Sequence, residues 1–104
     1  MSEHDIEKEI QEKNLNAPRL NPTLIDSLIV GEQYHVFQGT SLTICCLTLK
    51  NGFNVTGESA AASLSNFNAD LGRKIAREDA RNKIWALEGY LLKEKLSKSN
   101  NTVG

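Results

Sequence analysis

At 104 residues the chain has room for one hydrophobic core and not two. Its formal net charge of −1 argues against a general polyanion binder, which would be plainly basic. Hydrophobic residues at 39% and charged residues at 24% are ordinary for a globular protein, and no apolar run approaches the roughly 20 residues a bilayer demands.

Charge is uneven along the chain. Residues 1–13 carry five acids and two bases, net −3, whereas Asn68 to Lys98 carry eight bases and five acids, net +3. Any anion-binding role would therefore fall to the C-terminal third. The acidic N-terminus has the character of neither a signal peptide nor a transit peptide, so the protein is expected to stay where it is made.

Residues 1–18 have only Ile6, Ile10 and Leu15 as apolar anchors and are expected to form an acidic, flexible arm or a marginal helix. A single α+β domain is expected over residues 19–98. Asn21-Pro22 supplies a helix start, with Asn as N-cap and Pro at the first helical position, and Leu24, Ile25, Leu28 and Ile29 follow at helical spacing up to Gly31. Tyr34 to Phe37 predicts a short strand closed by a turn at Gln38-Gly39. Two further strands, Ser41 to Lys50 and Phe53 to Glu58, flank Asn51-Gly52, the preferred pair for a two-residue type I′ hairpin. That loop sets Lys50 opposite Phe53 and Thr48 opposite Val55, and turns Leu42, Ile44, Cys46, Phe53 and Val55 toward the core. Cys45 and Cys46 are neighbours on opposite strand faces, so they are expected as reduced thiols, at least one of them packed.

Ser63 to Phe67 predicts a turn, and Asn68 then caps a long helix running to about Ser97, followed by a disordered tail over 99–104. The architecture expected is thus a short N-terminal helix, a two- to three-stranded antiparallel meander, and one long amphipathic C-terminal helix packed on the sheet. At 100° per residue that helix has two apolar stripes. Ala76, Ala80, Ile84, Leu87 and Leu91 form the expected core face, because alanines permit close approach to a sheet. Leu71, Ile75, Trp85, Leu92 and Leu96 form a second stripe that the small sheet cannot cover, and a second subunit is the expected cover.

Between the stripes lie Arg73, Arg77 and Arg81 at i, i+4 and i+8, with Lys74 adjacent and Trp85 four residues on. Arginine offers a fork of donors for phosphate or carboxylate, and indole offers a stacking plane, so this group is the candidate site for a phosphorylated, nucleotide-type ligand. The more ordinary reading is a solvated face, partly paired with Glu78 and Glu88, and Trp85 packed in an interface.

Catalysis is not expected. Gly57-Glu58-Ser59-Ala60-Ala61 lacks the second glycine of a nucleophile elbow, His4 and His35 have no partner at metal-ligand spacing, and no basic residue adjoins Cys45 or Cys46 to lower a thiol pKa. No metal and no cofactor are expected.

Several strings carry a resemblance: Asn51-Gly52-Phe53, Gly57-Glu58-Ser59-Ala60 and Asn66-Phe67, then Gly72-Arg73-Lys74-Ile75-Ala76. Ala80-Arg81-Asn82-Lys83-Ile84-Trp85 and Leu87-Glu88-Gly89-Tyr90-Leu91-Leu92-Lys93 extend it. Across about Ala17 to Leu96 the chain resembles a family of short tailed-phage proteins named for gene product 49 of a coliphage and gene 66 of a Shigella phage. Members often have Cys and Pro where this chain has Ala61 and Leu64, a difference confined to the turn before the long helix. The resemblance implies a phage or prophage origin, expression in a bacterial cytoplasm, and an accessory rather than a virion role.

Two functions follow as expectations. One is a non-enzymatic, homo-oligomeric protein that sequesters a nucleotide-type signal of host defence through Arg73, Lys74, Arg77, Arg81 and Trp85. The alternative is a protein-interaction module that binds and inhibits or redirects a host protein. DNA binding is weaker, because no turn-linked helix pair is present and the net charge is negative.

Overall fold

The computed structural model describes residues 3–12 and 19–101. Residues 1–2 and 13–18 of the expected arm and 102–104 of the expected tail lie outside them. Two short helices come first, α1 (Glu3–Glu12) and α2 (Pro22–Ser27). Strands β1 (Ile29–Val36), β2 (Thr43–Leu49) and β3 (Asn54–Ser59) follow, and then a single 3-10 turn and α3 (Ala69–Asn101). The strands pair in the antiparallel order β1-β2-β3, and α3 lies across one face, so the α+β architecture is as read from the sequence.

Asn21 caps α2: its Oδ1 accepts the Leu24 N–H at 2.8 Å, and Pro22 needs no partner for an N–H it lacks. The helix stops earlier than predicted. Leu28 and Ile29 fit either a helical or an extended period, and pairing of Ile29 with Leu49 draws the chain into β1 instead. The register shifts between Ile29 and Gly31, leaving Val30 as an exposed bulge.

The Asn-Gly hairpin forms, but its register differs from the prediction by one residue. Leu49 N donates to Phe53 O at 2.8 Å and Gly52 N to Leu49 O at 2.8 Å, which encloses three loop residues, Lys50, Asn51 and Gly52. Gly52 has a φ of 89°, and the Asn51 Oδ1 accepts the Phe53 N–H at 2.9 Å. Leu47 therefore faces Val55, and Cys45 faces Gly57. A slip of one residue exchanges the two faces of a strand. The buried side is Thr43, Cys45, Leu47 and Leu49 with Val55, whereas Leu42, Ile44 and Cys46 are half-buried and Phe53 is exposed. Both cysteines are free thiols, Cys45 buried.

Asn68 caps α3 through its Oδ1, which accepts the Leu71 N–H at 2.9 Å. Ala76, Ala80 and Ile84 are fully buried, as the core stripe required. Gly57 lies directly beneath them. A Cβ built on it would stand 2.2 Å from the Ala76 carbonyl oxygen and 2.2 Å from the Ala80 nitrogen, both backbone atoms. Asp79, beside Ala80, accepts the Glu58 N–H at 3.0 Å and so ties the edge strand to the helix. Ile25 of α2 closes one end of the core with Leu47 and Ile84; burying such a side chain contributes roughly 1.5–3 kcal/mol.

The second half of α3 departs from the predicted core stripe. Leu87 and Leu91 are 38% and 56% exposed, because the short strands support the helix only to about Ile84. The remaining 17 residues, Trp85 to Asn101, extend about 25 Å past that point. At the other end of the chain, Glu3–Glu12, expected as a flexible arm or marginal helix, is helical and rests on α2. Among the described residues no helix is long and apolar enough to cross a membrane.

Replacing Gly57 by Ala should destabilise the fold by about 3 kcal/mol or prevent folding, since the helix backbone must shift to admit a methyl group. Thr43 carries a buried hydroxyl with no hydrogen-bond partner among the described residues, and Thr43→Val should raise stability by about 1 kcal/mol. Urea unfolding of the two variants checks both, and a Gly57→Ala variant within about 0.5 kcal/mol of the parent would refute the close-packing account.

Candidate functional site

The predicted ladder on α3 divides into two environments. Arg81 is 6% exposed and saturated with carboxylates. Its two terminal nitrogens donate to the two oxygens of Glu3 at 2.7 and 2.8 Å, and its Nε donates to Asp26 Oδ1 at 2.7 Å. Trp85, half-buried against the core, donates its indole N–H to the same Glu3 carboxylate at 3.1 Å. The fork-to-fork geometry is the strong form of an arginine–carboxylate pair. It holds the Glu3 carboxyl below its ordinary pKa and the Arg81 guanidinium above its own. Four residues further along α1, Glu7 meets Arg19 in a second bidentate pair at 2.6 and 2.8 Å.

Arg73, Lys74 and Arg77 are brought together elsewhere, with Tyr34 and Asp70, around a shallow recess of about 390 Å³. Arg73 pairs with Asp70, and Arg77 Nε lies 3.4 Å from Glu32, which also accepts the Tyr34 hydroxyl. Burial, reinforced by Glu32, pushes the Tyr34 hydroxyl pKa up, and burial raises that of the Cys45 thiol beside it. This recess can receive an anion at Lys74, and the ring that lines it is Tyr34, whose hydroxyl is held by Glu32, whereas Trp85 belongs to the Glu3 cradle.

The second apolar stripe is also divided. Leu71 and Ile75 are exposed beside the basic recess, whereas Leu92 and Leu96 are half-buried, and Leu92 lies near Leu20 and Leu24 of the same chain. The larger apolar feature lies on the other flank of α3. There a groove of about 670 Å³ runs between the hairpin and the unsupported helix. Phe53, Leu87, Tyr90 and Leu91 line it at 54%, 38%, 69% and 56% exposure, and polar groups are few: Asn51, Asn54, Lys83 and Glu88.

Sequence reasoning missed Glu3, Asp26 and Arg19 as partners of this surface, and Phe53 and Tyr90 as groove residues. The charge asymmetry was the available signal: the acidic N-terminal segment is itself the anion that the basic helix holds. Phe53 carried none, because its exposure follows from the hairpin register. Among the described residues no group of three or more His, Cys, Asp or Glu could hold a metal ion.

Because the Glu3 pKa is lowered in the folded chain, its contribution to α1 docking is complete above the ordinary glutamate value of 4.5. It is lost as pH falls through the lower folded value. Trp85 is the only tryptophan, so its fluorescence should report release of Glu3 below pH 4.5, with far-ultraviolet circular dichroism of the core retained. Glu3→Gln should show the released signal already at neutral pH; an unchanged spectrum would refute the contact.

No curated protein and no solved structure matches this chain. The family model described as phage protein (N4 Gp49/phage Sf6 gene 66) family matches residues 20–96, which takes in α2, the sheet, the groove, Arg81 and Trp85 but not α1. The chain thus belongs to the N4 Gp49/phage Sf6 gene 66 family of phage proteins.

Proposed function

We propose that this phage-family protein is a non-enzymatic accessory protein of the infected bacterial cytoplasm that acts by binding another protein. The observation that supports this most is the apolar groove between the hairpin and the outer half of α3. Leu87, Tyr90 and Leu91 are spaced i, i+3 and i+4 along one side of the helix, and Phe53 faces them from the hairpin. Exposed apolar side chains gathered in this way mark interaction surfaces, and a groove walled by a helix suits the apolar face of a partner helix. Lys83 and Glu88 at its margin offer one charge of each sign for register.

The nucleotide-sequestering role draws less support. Arg81 and Trp85 are engaged with Glu3, and Arg73 and Arg77 already face Asp70 and Glu32, so a phosphate would have to displace an internal carboxylate at each arginine. A second copy of the chain is one occupant the groove could take, and the homo-oligomer then uses Leu87 and Leu91 rather than Leu71 and Ile75.

Tagged protein recovered from phage-infected bacteria should carry one stoichiometric protein partner. Leu91→Arg should reduce that partner at least about tenfold, the effect of a charge placed in an apolar contact, whereas Arg73→Ala should leave it unchanged. The reverse pattern, or a bound nucleotide-sized mass lost on Arg73→Ala, would overturn the proposal. Solution scattering at micromolar concentration distinguishes a host partner from a second copy by mass.

A further inference from the structure

A second set of contacts, separate from the groove, lies under α1. Arg81 is buried, and Asp26 takes its Nε at 2.7 Å, which leaves the two terminal nitrogens to Glu3. Trp85 adds an indole N–H to the same point, and Arg19 adds a second guanidinium. Glu3 and Glu7 meet these two points from one face of α1, one helical turn apart.

None of residues 3–10 is buried, Ile6 is 47% exposed and Ile10 half-buried, so α1 contributes little apolar area. A helix of 10 residues is also below the length that persists unaided in water. The site beneath is demanding. Without Glu3, the guanidinium keeps Asp26 at its Nε and Glu78 at 3.9 Å from one terminal nitrogen, and both terminal nitrogens lose their hydrogen bonds to Glu3. Those two nitrogens then face water, a fork that another carboxylate fits in place of Glu3.

We propose that this surface recognises a helix bearing two carboxylates four residues apart, and that α1 occupies it as the chain's own ligand, exchangeable for an acidic helix of a partner protein. Arg81 and Trp85 read the first carboxylate, and Arg19 reads the second. The spacing separates this surface from a general anion site, since a single phosphate can satisfy only one of the two points.

The probe is a synthetic peptide of residues 1–13, titrated into the full-length chain carrying Glu3→Gln and Glu7→Gln while Trp85 fluorescence is followed. The expected result is a saturable change, with half-saturation about tenfold or more below that of the unsubstituted chain, whose own α1 competes for the site. The same peptide with Glu3→Gln and Glu7→Gln should give no change. Adding Arg19→Ala to the chain should weaken binding of the parent peptide, and circular dichroism should show the core intact throughout. No response up to about 1 mM peptide, or an equal response to the glutamine peptide, would overturn the proposal.

Discussion

The contact on which the rest of the structure depends is the approach of β3 to α3 at Gly57. A sheet and a helix normally stay apart by the thickness of their side chains, but here Ala76 and Ala80 meet a strand position with no side chain at all. That closeness decides which face of the hairpin is inside. Only with Gly57 under the helix do Cys45, Leu47 and Val55 fall on the buried side, and only the three-residue loop at Asn51-Gly52 delivers that register. Asp79 then takes the Glu58 amide and secures the edge strand against the helix.

One long helix thereby serves three environments. From Gly72 to Ile84 it closes the core with small residues. On one flank it offers Arg81 and Trp85 to the acidic helix α1, and past Ile84 it leaves the sheet and walls an apolar groove with Leu87, Tyr90 and Leu91. The free energies differ in kind. The fully buried aliphatic side chains contribute roughly 1.5–3 kcal/mol each, whereas ion pairs near water typically contribute less than about 1 kcal/mol. The core is therefore the larger source of stability, and the α1 contacts add the smaller share.

This division bears on function. Membership of the phage protein family is carried by residues 20–96, which hold both the groove and the Arg81–Trp85 cradle. One surface gathers apolar side chains at helical spacing, and the other pairs guanidinium groups with the carboxylates of α1. The basic recess at Arg73, Lys74 and Arg77 is already balanced by Asp70 and Glu32 and is the least specialised of the three.

Local chemistry was readable from the sequence wherever a residue type has one conformational use. Asn21 and Asn68 start helices because their side chains accept amides that no turn can satisfy, and Ala76 and Ala80 mark which of two apolar stripes, with Ile84, is the core face because small residues permit close approach. The family strings and the α+β order belong to the same level. Tertiary structure decided what depends on contacts between distant segments. Asn-Gly accommodates a two- or a three-residue loop, and packing against α3 selects the latter. The α3 pattern of apolar residues continues past Ile84, but only the length of the strands determines where burial ends. Arg81 has the same sequence spacing as Arg73 and Arg77, yet it is buried because Glu3 and Asp26, 78 and 55 residues away in the chain, converge on it. No periodicity along one helix can reveal a partner brought by the path of the whole chain.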